Sequence, residues 1–207
     1  MLVLPVNIYT ASGQKRVYAL LDTGSEECLV SRQLYSELGF KGVPLEVLLI
    51  TADGKRSLVS SVDTNFSIGP VDNTHVRFKI NNALVLNDMP SIDKNFPTSE
   101  NLKCFDNAYD LIRNGKFPIF ADENLHFIVG VRDAHLMNYD RVRAPDHPDQ
   151  PYFARCKLGW CAYGMDSNLK SKSLAHCNLL RTSDDPLGKK SKFCYMSLSR
   201  NVRTISI

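Results

Sequence analysis

Apolar and polar positions fall in short blocks of strand length along most of this chain. Leu2 to Ile8 reads as a first strand and Ala11-Ser12-Gly13-Gln14 as a turn. Arg16 to Leu21 is a second strand, increasingly apolar, that runs straight into Asp22-Thr23-Gly24-Ser25. Cys28-Leu29-Val30 is apolar again, and Ser31 is placed to cap a helix that reaches Leu38 and closes at Gly39. Leu45 to Thr51 is almost wholly apolar, Ala52-Asp53-Gly54-Lys55 carries the Asp-Gly pair of tight hairpins, and Ser57 to Phe66 leads back. Val76 to Ile80 alternates strictly, and Ala83 to Leu86 reads as a separate short, buried strand.

The second half is less regular. Asn, Asp, Pro and Ser punctuate the start of residues 87–124, where Phe105 to Ile112 predicts a short helix. Leu125 to Gly130 is a strand ending at a glycine, and Arg132 to Met137 predicts a helix. Arg143 to Tyr152, with three prolines and two aspartates, reads as a loop. Leu158 to Gly164 is the last expected strand, and the Ser/Lys-rich stretch beyond it has no sustained period. The expectation is a mostly β domain over 1–165 with a lengthened connection at about 91–124. A weakly structured extension over 166–207 would follow it. No internal repeat is visible.

The 207 residues are 43% apolar and 23% charged, a globular profile that excludes wholesale disorder and collagen-like or low-complexity classes. No apolar run approaches the ~18 residues of a membrane span, so no membrane partner is expected. The start, MLVLPVNIYT, lacks the basic and apolar regions of a signal peptide. It reads as a strand from its first residues, as in a chain cut from a longer precursor. Residues 166–207 hold eight Lys or Arg against three Asp, so with +3 overall the body carries −2. A net charge this small gives no case for a nucleic-acid partner of the body. Six cysteines (Cys28, Cys104, Cys156, Cys161, Cys177 and Cys194) without a signal peptide point to free thiols in a reducing, cytoplasmic setting. Cys156, Cys161, His176 and Cys177 lack the paired spacing of structural zinc, and five dispersed histidines show no ligand spacing. No metal and no cofactor are expected.

The informative word is Leu20-Leu21-Asp22-Thr23-Gly24-Ser25. It sets a carboxylate on a tight loop between apolar segments, where burial is costly unless the group is paired or hydrogen-bonded. Alone it is equally an Asx turn in which Gly24 supplies an unusual backbone angle. About a hundred residues later Phe127-Ile128-Val129-Gly130 gives an apolar pair plus glycine, and between the two lies the Asp-Gly hairpin.

With these three features in order, the chain resembles the retropepsin-like aspartic proteases. More narrowly it resembles the protease region of BEL/Pao-type retrotransposon polyproteins, through Cys156-Lys157-Leu158-Gly159-Trp160-Cys161-Ala162-Tyr163-Gly164, which stands where that family has T-x-LGW-x-x-x-G. The resemblance spans residues 1 to about 165. It implies an acid-protease half-barrel with short helices, an inserted loop region and a C-terminal extension. It also implies catalysis by Asp22, with Thr23 bracing the loop, Gly24 admitting backbone, and Ser25 hydrogen-bonding the outer carboxylate oxygen. Ile128, Val129 and Gly130 would support the site. Thr51, Ala52, Asp53 and Gly54 would lie at the tip of a substrate-covering flap, although the same pattern suits an ordinary surface hairpin. Only one Asp-Thr-Gly is present; Val62-Asp63-Thr64-Asn65 lacks the glycine. The second carboxylate would therefore come from a second copy in a two-fold homodimer, acting on a peptide or on its own polyprotein. Two departures from the family pattern, Cys156 for Thr and Gly130-Val131-Arg132-Asp133 for Gly-x-Asp, keep an alternative open: a protease-fold dimerisation or peptide-binding module without turnover.

Overall fold

The structure is a computed structural model and describes residues 2–51, 54–89, 106–117, 124–147, 150–163 and 202–206. Strands β1 (Leu2–Thr10) and β2 (Gly13–Leu21) form an antiparallel hairpin paired along its whole length, Leu2 opposite Leu21 and Thr10 opposite Gly13. β3 (Leu29–Ser31) leads into helix α1 (Arg32–Glu37). As the sequence predicts, Ser31 caps it: its hydroxyl oxygen accepts the Leu34 amide, and Gly39 stands past the end at φ +57°. β4 (Gly42–Ile50) and β5 (Arg56–Pro70) form the long hairpin. β6 (Phe78–Leu86), helix α2 (Asp106–Arg113), β7 (Leu125–Val129), β8 (Arg141–Arg143), β9 (Tyr152–Cys156), β10 (Gly159–Tyr163) and β11 (Val202–Ser206) follow. Among the described residues no helix is long and apolar enough to cross a membrane.

The fold is mostly β, and its strands close on themselves. The order β5-β6-β3-β7-β2-β1 is sealed by an antiparallel pairing of β1 with the far end of β5, Val6 opposite Pro70 and Tyr9 opposite Ser67. Both strands divide their length between neighbours, since β5 also pairs with β4 and β1 with β10. The interior is filled by Leu4, Val6, Ile8, Val17, Val30, Ile68, Ile80 and Val85 from the ring of strands and by Leu34 from α1. An edge-to-face series, Phe40 on Phe66 and Phe66 on Phe127, crosses it, each pair contributing about 0.5–1.5 kcal/mol beyond its buried area.

Several expectations are revised. The two strands expected at 76–80 and 83–86 are one strand, β6, and Asn81-Asn82 is an irregularity inside it rather than a break. Asn82 takes φ +58°, its amide donates to Asn65 Oδ1 (2.8 Å), and its side chain donates to Asp63 (3.0 Å) across a register shift in β5. Such a bulge re-aims a strand without ending it. The helix expected at 132–137 is a 3₁₀ segment, Val131–Leu136. The proline-rich stretch is flanked by two strands that periodicity missed, β8 and β9, and β11 adds a strand beyond the last one expected.

The helix expected at 105–112 is present as α2, and its place is informative. Ala108 and Leu111 pack with Phe117 on Phe153, Trp160 and Ala162 of β9 and β10, forming a second apolar cluster outside the barrel. Asp106 in its first turn and Arg113 in its last complement the helix dipole.

Candidate active site

β7 organises the site. It runs parallel to β2 on one side, Leu21 opposite Val129, and antiparallel to β3 on the other, Leu29 opposite Ile128. The chain between β2 and β3 must therefore bridge over the end of β7, and that bridge is Asp22 to Cys28. The Asp22 amide donates to the Val129 carbonyl (3.0 Å), fixing the residue at the rim. Beyond Val129 the chain passes beneath the bridge. The Val131 amide donates to the Ser25 carbonyl (2.8 Å) and the Arg132 amide to the Glu26 carbonyl (3.3 Å).

This passage needs glycine at 130. A Cβ there would lie 2.3 Å from the Glu27 carbonyl oxygen and 2.5 Å from its carbon, both backbone atoms that cannot step aside. The residues expected to carry the site, Asp22–Ser25 and Ile128–Gly130, are thus brought together. Asp22 is half-buried, Thr23 and Gly24 are exposed, and Ser25 is fully buried. The Gly24 amide donates to Asp22 Oδ1 (2.9 Å), so the carboxylate is held by its own turn and presented at the surface of the loop.

Ser25 departs from expectation. Its hydroxyl donates to the Glu27 carbonyl (2.8 Å), not to the carboxylate of Asp22. Its single proton holds the bridge together from inside. Sequence reasoning also missed two side-chain latches. The buried Glu27 carboxylate pairs with the Arg132 guanidinium. The Cys28 thiol donates to Asp133 Oδ2 (3.2 Å), while the Gly130 amide donates to Cys28 Sγ (3.4 Å). Burial, with the Asp133 and Glu27 carboxylates adding to it, pushes the Cys28 thiol well above its ordinary pKa, so it stays a neutral donor. Cys28 reads in the sequence as a small buried hydrophobe, and it is that and a polar latch as well. The only sequence trace of these latches is Arg132-Asp133 following Gly130.

His126 is a core histidine. It is buried on β7, with Nδ1 2.9 Å from the Ser31 hydroxyl. Cys156 and Cys161 are buried free thiols facing the barrel interior; His176 and Cys177 lie outside the described residues. Among the described residues no three His, Cys, Asp or Glu side chains converge as metal ligands would.

The hairpin β4–β5 stands on the same frame. Val47, with Leu45 and Val59, packs on Leu29, Leu84, Leu86 and Ile128. Further out, a cavity of about 260 Å³ is lined by Leu49, Ser57, Val59, Leu86, Asn87 and Asp88 among others. At the tip the Gly54 amide donates to the Thr51 carbonyl (2.8 Å), the Thr51 amide donates to the Lys55 carbonyl (3.0 Å), and Gly54 has φ +80°. Ala52 and Asp53, expected at this tip, lie outside the described residues.

Residues 4–94 match the family model described as aspartyl protease. No curated protein matches the chain, and no solved structure does. The matched span runs from β1 through the Asp22 loop and the hairpin to just beyond β6, and it supports an aspartyl protease family for this part of the chain. β7 and the Ile128–Gly130 segment lie outside it. Outside the matched span, Gly130 is wedged under the bridge that carries Asp22.

Proposed function

We propose that this chain is an aspartic endopeptidase whose active site forms across a homodimer, each copy supplying one Asp22. The observation that carries the reading is the half-buried Asp22 carboxylate held by the Gly24 amide on a loop braced from below by Gly130. One such loop gives one carboxylate. Peptide hydrolysis of this kind needs two that share a proton, because like charges about 3 Å apart cannot both ionise. In the dimer one carboxylate takes a proton from water as the water attacks the scissile carbonyl, and the other donates a proton to the carbonyl oxygen. Exposed Thr23 and Gly24 sit beside Asp22, where a two-fold partner would meet them. The β4–β5 hairpin would serve as the flap over an extended peptide. Processing of a retroelement polyprotein, in the manner of the BEL/Pao-type protease regions, is the biological setting this reading favours.

The test follows cleavage of a mixed peptide library while the enzyme is diluted. Specific activity should fall on dilution as dimers dissociate, be blocked by pepstatin, and show a bell-shaped pH profile set by the two macroscopic ionisations of the pair. Excess Asp22→Asn protein mixed into wild type should poison activity through heterodimers. Specific activity that stays constant down to a monomeric mass would sink the dyad. The second reading, a peptide-binding module without turnover, draws on the Ser25 hydroxyl being engaged by Glu27 rather than by Asp22. Peptide binding without cleavage at any concentration would favour it.

A further inference from the structure

The hairpin edge that faces away from β5 is occupied by the chain itself. β11 runs parallel to β4 in an unbroken five-residue register, from Val202 opposite Glu46 to Ser206 opposite Ile50. That register fills the edge that β4 has to offer. On one side Pro44 has no amide hydrogen to continue a ladder, and on the other Thr51 enters the turn. Thirty-eight residues of sequence separate Tyr163 at the end of β10 from Val202, so the pairing is not imposed by a short connection. A row of unpaired backbone amides and carbonyls on an edge strand is a template for any extended segment. Here a segment rich in β-branched residues, Val202-Arg203-Thr204-Ile205-Ser206, takes it.

We infer that the outer edge of β4 is a strand-addition site for an extended peptide, and that Val202–Ser206 is its tethered occupant, which an incoming peptide must displace. This deepens the reading of the hairpin as a flap and rests on it. Recognition is carried by main-chain hydrogen bonds along Glu46–Ile50, so the occupant is chosen first by its ability to lie extended and only then by side chains. A tethered strand competes at an effective concentration on the order of 1 mM, set by its linker and not by how much peptide is present. The C-terminal strand therefore acts as a built-in competitor that raises the peptide concentration needed for occupancy.

The test uses three proteins: the full chain, the full chain with Arg203→Pro and Thr204→Pro together, and a chain ending at residue 201. Two consecutive prolines are needed because only alternate residues of a strand donate to a given neighbour, and one of the pair must be a donor to β4. A fluorescein-labelled peptide of residues 201–207 is titrated into each, followed by anisotropy, with circular dichroism confirming the fold. The opened variants should bind it at least about tenfold more tightly than the full chain. KM for peptide cleavage should fall by a similar factor with kcat unchanged. Equal binding by all three, or binding by none, overturns the inference, and cleavage at unchanged KM would then leave the endopeptidase standing without it. If anisotropy separates the variants while none cleaves, the docking edge stands and the endopeptidase reading fails.

Discussion

The Asp22 loop and the β4–β5 hairpin are both excursions from one barrel, yet they are built in opposite ways. The loop is latched from inside: Ser25 and Cys28 are essentially buried, Gly130 touches backbone, and two side-chain latches join segments 105 positions apart in sequence. The hairpin rests on the barrel through Val47 and is held toward its tip by backbone ladders, its own and that of β11 along Glu46–Ile50, and by its turn. Val43 is 69% exposed and Leu58 55%. On the function proposed above, the first kind of support suits a carboxylate that has to meet a second one within a fraction of an ångström, and the second suits a cover that has to admit and release a peptide.

The largest effect should come from the chemistry held at the latched end. Asp22→Asn keeps the shape of the side chain and removes its charge. It should lower turnover by at least about 10²–10⁴-fold in a peptide-cleavage assay while leaving the thermal unfolding midpoint within a degree or two of wild type. Gly130→Ala tests the support and not the chemistry. Its methyl group must displace Glu27 backbone, so urea unfolding should show a loss of about 1–3 kcal/mol or more, with activity falling too. A Gly130→Ala protein as stable and active as wild type would mean that the bridge is not braced in this way.

How much of this contrast is legible in the sequence depends on how local each cause is. β2 running into Asp-Thr-Gly-Ser, Ser31 as a cap, Gly39 as a stop and the strand ending at Gly130 are written in neighbouring residues, and the structure places them there. The features that were missed are long-range. Arg132 meeting Glu27 and Asp133 meeting Cys28 depend on β7 lying between β2 and β3, which no local period encodes. Asn81-Asn82 carries turn chemistry but sits in a bulge stabilised by Asn65 and Asp63, so local propensity yields to tertiary pairing. β8 and β9 are only three and five residues long and flank a proline-rich stretch. They exist because they pair with each other and with β10. Ser25 had the expected place but another acceptor, because its rotamer is set by burial inside the bridge.

The buried thiols give the contrast a pH dependence. Cys28 lies in the latch, and Cys156 and Cys161 share the same barrel core; none belongs to the hairpin. Desolvation raises all three, Cys161 to about 12. A raised acid of this type keeps its proton in the folded state after the unfolded chain has lost it near pH ~8.5. The folded state then binds more protons, so stability must fall as pH rises. The contribution is intact below about pH 8.5 and is lost progressively as pH climbs toward the folded values, by up to about 1.4 kcal/mol per pH unit for each thiol. Urea midpoints measured from pH 7 to 10 should be flat and then decline. Iodoacetamide should label these thiols far more slowly in the native protein than in urea. Cys28→Ala should flatten the decline, whereas replacements confined to the hairpin should leave its slope alone.

The smallest effect on stability, and the sharpest separation of the two regions, should come from Leu58→Ser on the hairpin. Leu58 pairs with Leu48 across the ladder but is 55% exposed, so it has little buried area to lose, and a serine there adds no buried polar group. Its change in unfolding free energy should lie within about 0.5 kcal/mol of zero, as for surface positions away from special features. If the hairpin is the flap, KM for peptide cleavage should move while stability does not, because an apolar contact on the cover acts on bound peptide and not on the barrel. A loss of 2 kcal/mol or more would instead show Leu58 packed as a structural residue, the hairpin would then be built like the Asp22 loop, and the contrast between a latched end and an open one would have to be given up.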